Sequence, residues 1–149
     1  MEFSTPLTSI LSNKDSQVWT TAPAAIVYDA IALMAEKNIG AVPVIENGRL
    51  AGIISERDYS RKVILQGRSS KETAVSEVMS TNVVTGTPSD TIENCMKIMT
   101  QSRVRHLPIL DGDKLIGLIS IGDLVKWIMS AQKATIAQLE QYISGDYPG

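Results

Sequence analysis

Gly52-Ile53-Ile54-Ser55-Glu56-Arg57-Asp58 and, 65 positions on, Gly117-Leu118-Ile119-Ser120-Ile121-Gly122-Asp123 share one pattern, Gly-h-h-Ser-x-x-Asp, with h aliphatic. The likeness spreads outward from it, so that residues 18–58 fall on residues 83–123 without a gap. Ten of these 41 columns are identical: Val18/Val83, Thr20/Thr85, Pro23/Pro88, Met34/Met99, Pro43/Pro108, Leu50/Leu115, Gly52/Gly117, Ile54/Ile119, Ser55/Ser120 and Asp58/Asp123. Unrelated stretches would share about two or three at ordinary residue usage. Most other columns pair one aliphatic with another, as Val44/Ile109 and Ile53/Leu118 do. A duplicated polar signature on an apolar scaffold points to a duplicated site.

Each repeat reads strand, helix, hairpin, helix. Gln17-Val18-Trp19-Thr20 and Val83-Val84-Thr85 are short extended pieces, each followed by a proline. Ile26, Val27, Ala30, Ile31 and Met34 fall at helical spacing, as do Ile92, Cys95, Met96 and Met99. Asp90 and Glu93 have capping-box spacing, which places the second of these helix starts at Pro88-Ser89-Asp90. Residues 41–45 and 50–54 join through Asn47-Gly48, a strong hairpin signal because both centres of a type I′ turn need positive φ. Residues 107–110 and 115–119 join through Gly112-Asp113. A closing helix is expected from about Arg57 to Leu65, and again from Leu124 to Met129.

Leu7-Thr8-Ser9-Ile10-Leu11-Ser12 resembles Val75-Ser76-Glu77-Val78-Met79-Ser80 at a spacing of 68, so the first repeat carries about three extra residues near Asn13-Lys14-Asp15. The reading divides the chain into residues 1–14 completing the first repeat, 15–66 as that repeat, a polar linker at 67–74, the second repeat at 75–130, and a helix and tail at 131–149. Ile136, Leu139 and Ile143 put an apolar stripe on that tail helix. A repeat of roughly 60 residues is marginal alone, so the halves are expected to share one core.

Composition narrows the function. The net charge of −2, with 5% aromatic residues, argues against a nucleic-acid surface, which needs basic patches and stacking platforms. No apolar run is long enough to cross a bilayer. Met1-Glu2-Phe3-Ser4-Thr5-Pro6 has neither a basic n-region nor an apolar h-region, so no signal peptide is expected. A single cysteine cannot form an internal disulfide, and a cytoplasmic protein is the expectation. One histidine and one cysteine, at no pairing distance, supply neither a metal cluster nor a nucleophile–base couple, so no metal, catalytic cofactor or enzyme activity is expected.

Two strand-helix-hairpin-helix copies, each with a Val/Leu-Pro-hydrophobic strand and the Gly-h-h-Ser-x-x-Asp ending, resemble a tandem cystathionine-β-synthase (CBS) domain pair, or Bateman module, over residues 7–130. The Ser-Glu-Arg-Asp, Ile-Gly-Asp-Leu and Thr-Ile-x-Gln-Leu-Glu-Gln-Tyr-Ile stretches resemble its small stand-alone bacterial members. The resemblance implies an α+β fold of two β-α-β-β-α units related by a pseudo-twofold axis, commonly paired into homodimers. It also implies clefts for adenosine-containing ligands: AMP or NAD(H), ADP, ATP or S-adenosylmethionine.

The signature residues have two readings. As caps, Ser55 and Ser120 satisfy orphan backbone donors, with Asp58 and Asp123 three positions on. As ligands, the serines and the helix starts donate to phosphate, Asp58 and Asp123 accept the ribose hydroxyls, and Gly52 lets a ring or backbone come close. Arg103-Val104-Arg105-His106 is the densest positive cluster, either a solvated helix end, a partner for Asp111 or Asp113, or a phosphate site. The resemblance favours Arg105 and His106 for phosphate, with Arg57 as a further candidate. The matching Asn38-Ile39-Gly40-Ala41 is uncharged, which predicts two unequal sites. Adenine needs a flat apolar slot, for which Thr20, Ala22, Ile39 and Val42, and Thr85, Val104 and Leu107, are candidates. Cys95, Met34, Met96 and Met99 are expected in the core. The function that follows is a non-catalytic adenine-nucleotide sensor, acting through an effector protein. The alternatives are a dimerisation scaffold with vestigial pockets and an S-adenosylmethionine sensor.

Overall fold

The hairpins form where the turn chemistry placed them. In this computed structural model, which describes residues 5–13 and 18–144, β1 (Ala41–Glu46) pairs antiparallel with β2 (Arg49–Ser55), and β3 (His106–Asp111) with β4 (Lys114–Ser120). Asn47 and Gly48 both take positive φ, 53° and 77°, as a type I′ turn requires. In the second turn only Gly112 does, at 63°. Both hairpins carry a bulge at the same place, beside Gly52 and Gly117. The fold is α+β, with two small sheets and a helix packed on each.

Helix α2 (Val27–Lys37) ends at Asn38, and α5 (Ile92–Ser102) ends at Arg103, each cap residue left-handed at φ 55°. The α5 start differs from expectation. Thr91 is the N-cap, its hydroxyl accepting from Asn94 N, while Asp90 instead accepts from Thr87 N at 2.7 Å to close the preceding turn. After β2, α3 (Glu56–Tyr59) runs into a π-helical turn at Ser60–Ile64. The predicted closing and tail helices of the second repeat are one helix, α6 (Ile121–Ser144). The side chains at 136, 139 and 143 lie outside the described residues.

The predicted first strand of each repeat shrinks to one parallel bridge, Thr21 with Val44 and Gly86 with Ile109. Thr21 N donates to Pro43 O, and Ile45 N to Thr21 O. The next rung would need an N–H from Pro43, which has none, so the ladder stops. Pro108 stops the other one.

The halves do not share one core. One cluster holds Val27, Ala30, Met34, Val42, Val44, Ile54 and Val63, the other Ile92, Cys95, Met99, Leu107, Ile109, Ile119 and Leu124. Met96, expected among them, is exposed. Each cluster is completed from elsewhere in the chain. Leu7 and Ile10, beside and in α1 (Thr8–Asn13), pack into the second cluster, not the first. Val75 and Val78 of α4 (Val75–Val78) pack into the first. The exchange is reciprocal bond for bond: Leu7 N donates to Asp90 O and Ile92 N to Thr5 O, just as Val75 N donates to Ala25 O and Val27 N to Thr73 O. Residues 7–10 thus pack with the second cluster, and residues 75–78 with the first. Four buried aliphatic side chains cross between units, each stabilising by roughly 1.5–3 kcal/mol, and this fastens two marginal units together.

Candidate functional site

The signature glycines serve this exchange. A Cβ at Gly52 would stand 2.7 Å from Ser80 O and 2.9 Å from Met79 Sδ. The backbone that comes close is thus that of Ser80, bonded through Ile53 N to Ser80 O (3.0 Å) and Ser80 N to Ile53 O (2.9 Å). A Cβ at Gly117 would collide with the Leu11 side chain. Of the ring or backbone that Gly52 was expected to let come close, it is a backbone that does so here.

The serine–aspartate pairs cap. Ser55 N donates to Asp58 Oδ2 at 2.9 Å, Ser55 Oγ to the same oxygen at 3.0 Å, and Asp58 N to Ser55 Oγ at 3.1 Å. Ser120 N donates to Asp123 Oδ2 at 2.8 Å, and Asp123 N to Ser120 Oγ at 3.1 Å. The first-turn donors Glu56 N and Ile121 N go to Gly40 O and Arg105 O. Most of the N–H groups assigned to phosphate from the sequence are therefore spoken for. Asp58 keeps a second oxygen on other business: Oδ1 lies 3.2 Å from Lys62 Nζ and 3.5 Å from Ser80 Oγ. Lys62 Nζ also donates to Val78 O at 2.9 Å.

A cavity of about 680 Å³ opens at this first corner, within the ~300–1,000 Å³ range of small-molecule sites. Ser55, Arg57 and Asp58 from the first repeat line it together with Val104, Arg105 and His106 from the second. The repeats thus bring into one cavity groups nearly fifty residues apart in sequence. His106 reaches far enough that a Cβ on Gly40 would meet its ring at 3.3 Å. Apolar walls come from Ile53, Val83 and Val84.

Other sequence candidates lie elsewhere. Ser120 and Asp123 occupy the second corner and do not line this cavity. Val42 and Leu107 are fully buried in the core and do not line this cavity. Ile39 packs on the first cluster, Thr20 and Ala22 are exposed and do not line the cavity, and Thr85 follows the lining residues Val83 and Val84 in sequence. Sequence reading missed Arg61, Lys62 and Asn82 as lining groups and had Arg103 only as a member of the basic cluster. Lys62 was findable, since it stands four residues after Asp58 on the same helical face. Asn82 was not, because only the folded chain carries it there.

Among the described residues no helix is long and apolar enough to cross a membrane, and no cluster of His, Cys, Asp and Glu could hold a metal. Burial, with Asp90 nearby, pushes the Cys95 thiol up to about 11, away from nucleophilic chemistry.

Comparison with known proteins agrees with the duplicated architecture. The family model described as CBS domain matches twice, over residues 14–64 and 75–130. The CBS domain-containing protein YhcV of Bacillus subtilis is 38% identical over 128 residues, covering 86% of this chain and 91% of that protein. A solved CBS-domain protein from Burkholderia ambifaria superposes with a TM-score of 0.83 at 52% identity, covering 86% of this chain and 96% of the other. At the level of fold alone, 22% identical with a TM-score of 0.74, lies the CBS domain pair of protein MJ0100, solved in complex with 5′-methylthioadenosine and S-adenosyl-L-methionine; the match covers 85% of this chain and 98% of that one.

Proposed function

Because this chain belongs to the CBS domain family, carrying two copies in tandem, we propose that it is a regulatory module that binds an adenine nucleotide at its first corner. AMP and NAD(H) are the first candidates, followed by ADP and ATP. The observation that carries this reading is the single cavity on which Asp58 of one repeat meets Arg105 and His106 of the other. A carboxylate is suited to paired ribose hydroxyls, and a guanidinium to phosphate oxygens. Both must be satisfied at once by one molecule with a sugar next to a phosphate. Binding across the repeats stabilises their present arrangement by mass action, and a partner protein that reads this arrangement receives the signal. The module acts in the cytoplasm, without catalysis, as a homodimer. The exposed stripe Ile121, Val125 and Met129 on α6, with Ile64 and Leu65 at the related place in the first repeat, suits a dimer face.

The capping boxes favour a second reading, a scaffold whose Ser–Asp pairs serve only their own main chain. Thermal melting with AMP, NAD, ATP and S-adenosylmethionine separates the two. A ligand at 100 times its Kd stabilises by about 2.7 kcal/mol, several degrees in Tm at this size. A shift with a nucleotide recovered unchanged after incubation supports the sensor. No shift with any of the four leaves the scaffold.

A further inference from the structure

The charge of the cavity exceeds what a ribose corner needs. Arg57, Arg61, Lys62, Arg103 and Arg105 line it against only two carboxylates, Glu56 and Asp58, in a chain whose net charge is −2. Gathering like charges around one concavity is unfavourable unless something anionic answers them. Arg103 adds a backbone cost, because it holds φ 55° where the first repeat has Asn38, a residue better suited to the left-handed region. At the second corner, the positions of Glu56, Arg57, Arg61 and Lys62 hold Ile121, Gly122, Lys126 and Trp127. The excess of cations is therefore peculiar to one corner.

Resting on the nucleotide reading above, but placing NAD(H), ADP and ATP ahead of AMP within it, we propose that this cavity selects adenine nucleotides carrying two or more phosphate groups, and that Lys62 is the residue that sets this preference. Its ammonium is held between Asp58 Oδ1 at 3.2 Å and Val78 O at 2.9 Å. When ribose hydroxyls donate to Asp58 Oδ1, they replace the ammonium as that oxygen's partner. Lys62, with a half-exposed flexible stem, then swings from the carboxylate to the phosphates. The sugar and the phosphate thus share one exchangeable cation: the cost of parting Lys62 from Asp58 is recovered only by a ligand with phosphate oxygens to receive it. An uncharged nucleoside forfeits that return, and a sulfonium such as S-adenosylmethionine also meets repulsion from the arginines.

The test is calorimetric titration of ADP, AMP, adenosine and S-adenosylmethionine into the intact protein and into Lys62→Met and Lys62→Arg. Affinity is expected to fall in that order of ligands, ADP leading adenosine by about tenfold or more at low salt, because cavity charges are screened less than surface ones. Raising the salt narrows the gap. Lys62→Met lowers ADP affinity severalfold and leaves adenosine unchanged or tighter, while Lys62→Arg keeps the ADP preference. AMP, adenosine or S-adenosylmethionine matching ADP overturns the proposal with the nucleotide reading intact. So does Lys62→Met weakening ADP and adenosine equally, which would be the mark of a merely structural lysine. Binding by none of the four overturns the nucleotide reading, and this inference with it.

Discussion

The first corner, Gly52 to Lys62, and the second, Gly117 to Trp127, share a glycine, a serine and an aspartate and differ in nearly every charged residue around them. Folding explains what they share. The glycines make room for the exchanged segments, and the serine–aspartate pairs close capping boxes or their equivalents. The cations are another matter. Arg57, Lys62, Arg103 and Arg105 have no cationic counterpart across the repeat, where Gly122, Trp127, Asn38 and Gly40 stand. In a duplicated fold, then, the repeated residues answer the needs that both copies have in common, which are structural. The unrepeated cations are the ones gathered on the cavity of the first corner.

The glycine pair offers the largest effect and the plainest contrast. At Gly52 an added methyl meets the Ser80 backbone, which cannot yield without loosening the Ile53–Ser80 bridge. Gly52→Ala is expected to cost about 3 kcal/mol, the upper end for overpacking. Gly117→Ala meets the end of the Leu11 side chain, which can rotate away, and should cost about 1 kcal/mol. Urea denaturation of both variants reads the difference, and equal costs would break the distinction between backbone and side-chain packing. The aspartates come next. Asp58→Ala should weaken nucleotide binding by some 30- to 100-fold, the loss of hydrogen bonds to a charged acceptor, whereas Asp123→Ala leaves the first-corner affinity within about twofold, since the residue lies outside that cavity. Each variant also loses its cap, at about 1 kcal/mol of stability. If Asp123→Ala proved the more damaging to binding, the site would belong to the other corner.

Much of this was legible in the sequence, and the unread parts have physical causes. The duplication, the hairpins and the serine–aspartate corners depend on local chemistry, so Asn47-Gly48 and the Gly-h-h-Ser-x-x-Asp endings were enough. The strands that dwindled to bridges could have been read from Pro43 and Pro108, whose missing N–H ends the ladder. The exchange of Leu7 and Val75 between cores could not, because both segments pattern alike and either core would accept either aliphatic. For the site, the two halves were visible separately, Ser55–Asp58 and Arg105–His106. Their meeting on one cavity is a tertiary fact. Among the adenine candidates, Val42 and Leu107 lie in the core; an apolar residue beside a polar motif reads the same whether it faces a ligand or the core.

A buried difference sharpens the comparison of the cores at moderate energy. Cys95 occupies the place of Ala30, and burial, with Asp90 adding to it, pushes its thiol up to about 11 from an ordinary 9.0. The folded chain therefore keeps a proton that the unfolded chain releases first. Stability from this source is complete below about pH 9 and is lost as pH rises toward 11, on the order of 2 kcal/mol in all. Cys95→Ala should lose correspondingly less stability between those two pH values, with lysine and tyrosine titrations common to both proteins cancelling. Parallel losses in the two proteins would show that the thiol is reached by water in the folded state.

The smallest effect is the most pointed, because it sets stability against binding at one residue. Arg103 and Asn38 are the same backbone position in the two repeats, both left-handed at φ 55° after an eleven-residue helix. Asn tolerates that conformation through its short polar side chain, and a long unbranched one does not share the advantage. Arg103→Asn should accordingly raise stability by about 0.5 kcal/mol, within the 1–2 kcal/mol that left-handed geometry costs an ordinary residue. It should also weaken binding of a polyphosphate nucleotide, with little change for adenosine, because only a cation is removed from the cavity wall. A variant that folds better and binds worse would place the strain at Arg103 in the service of its charge. If instead stability fell and binding held, the guanidinium would be fastening the end of α5, and the charge difference between the corners would lose one of its members.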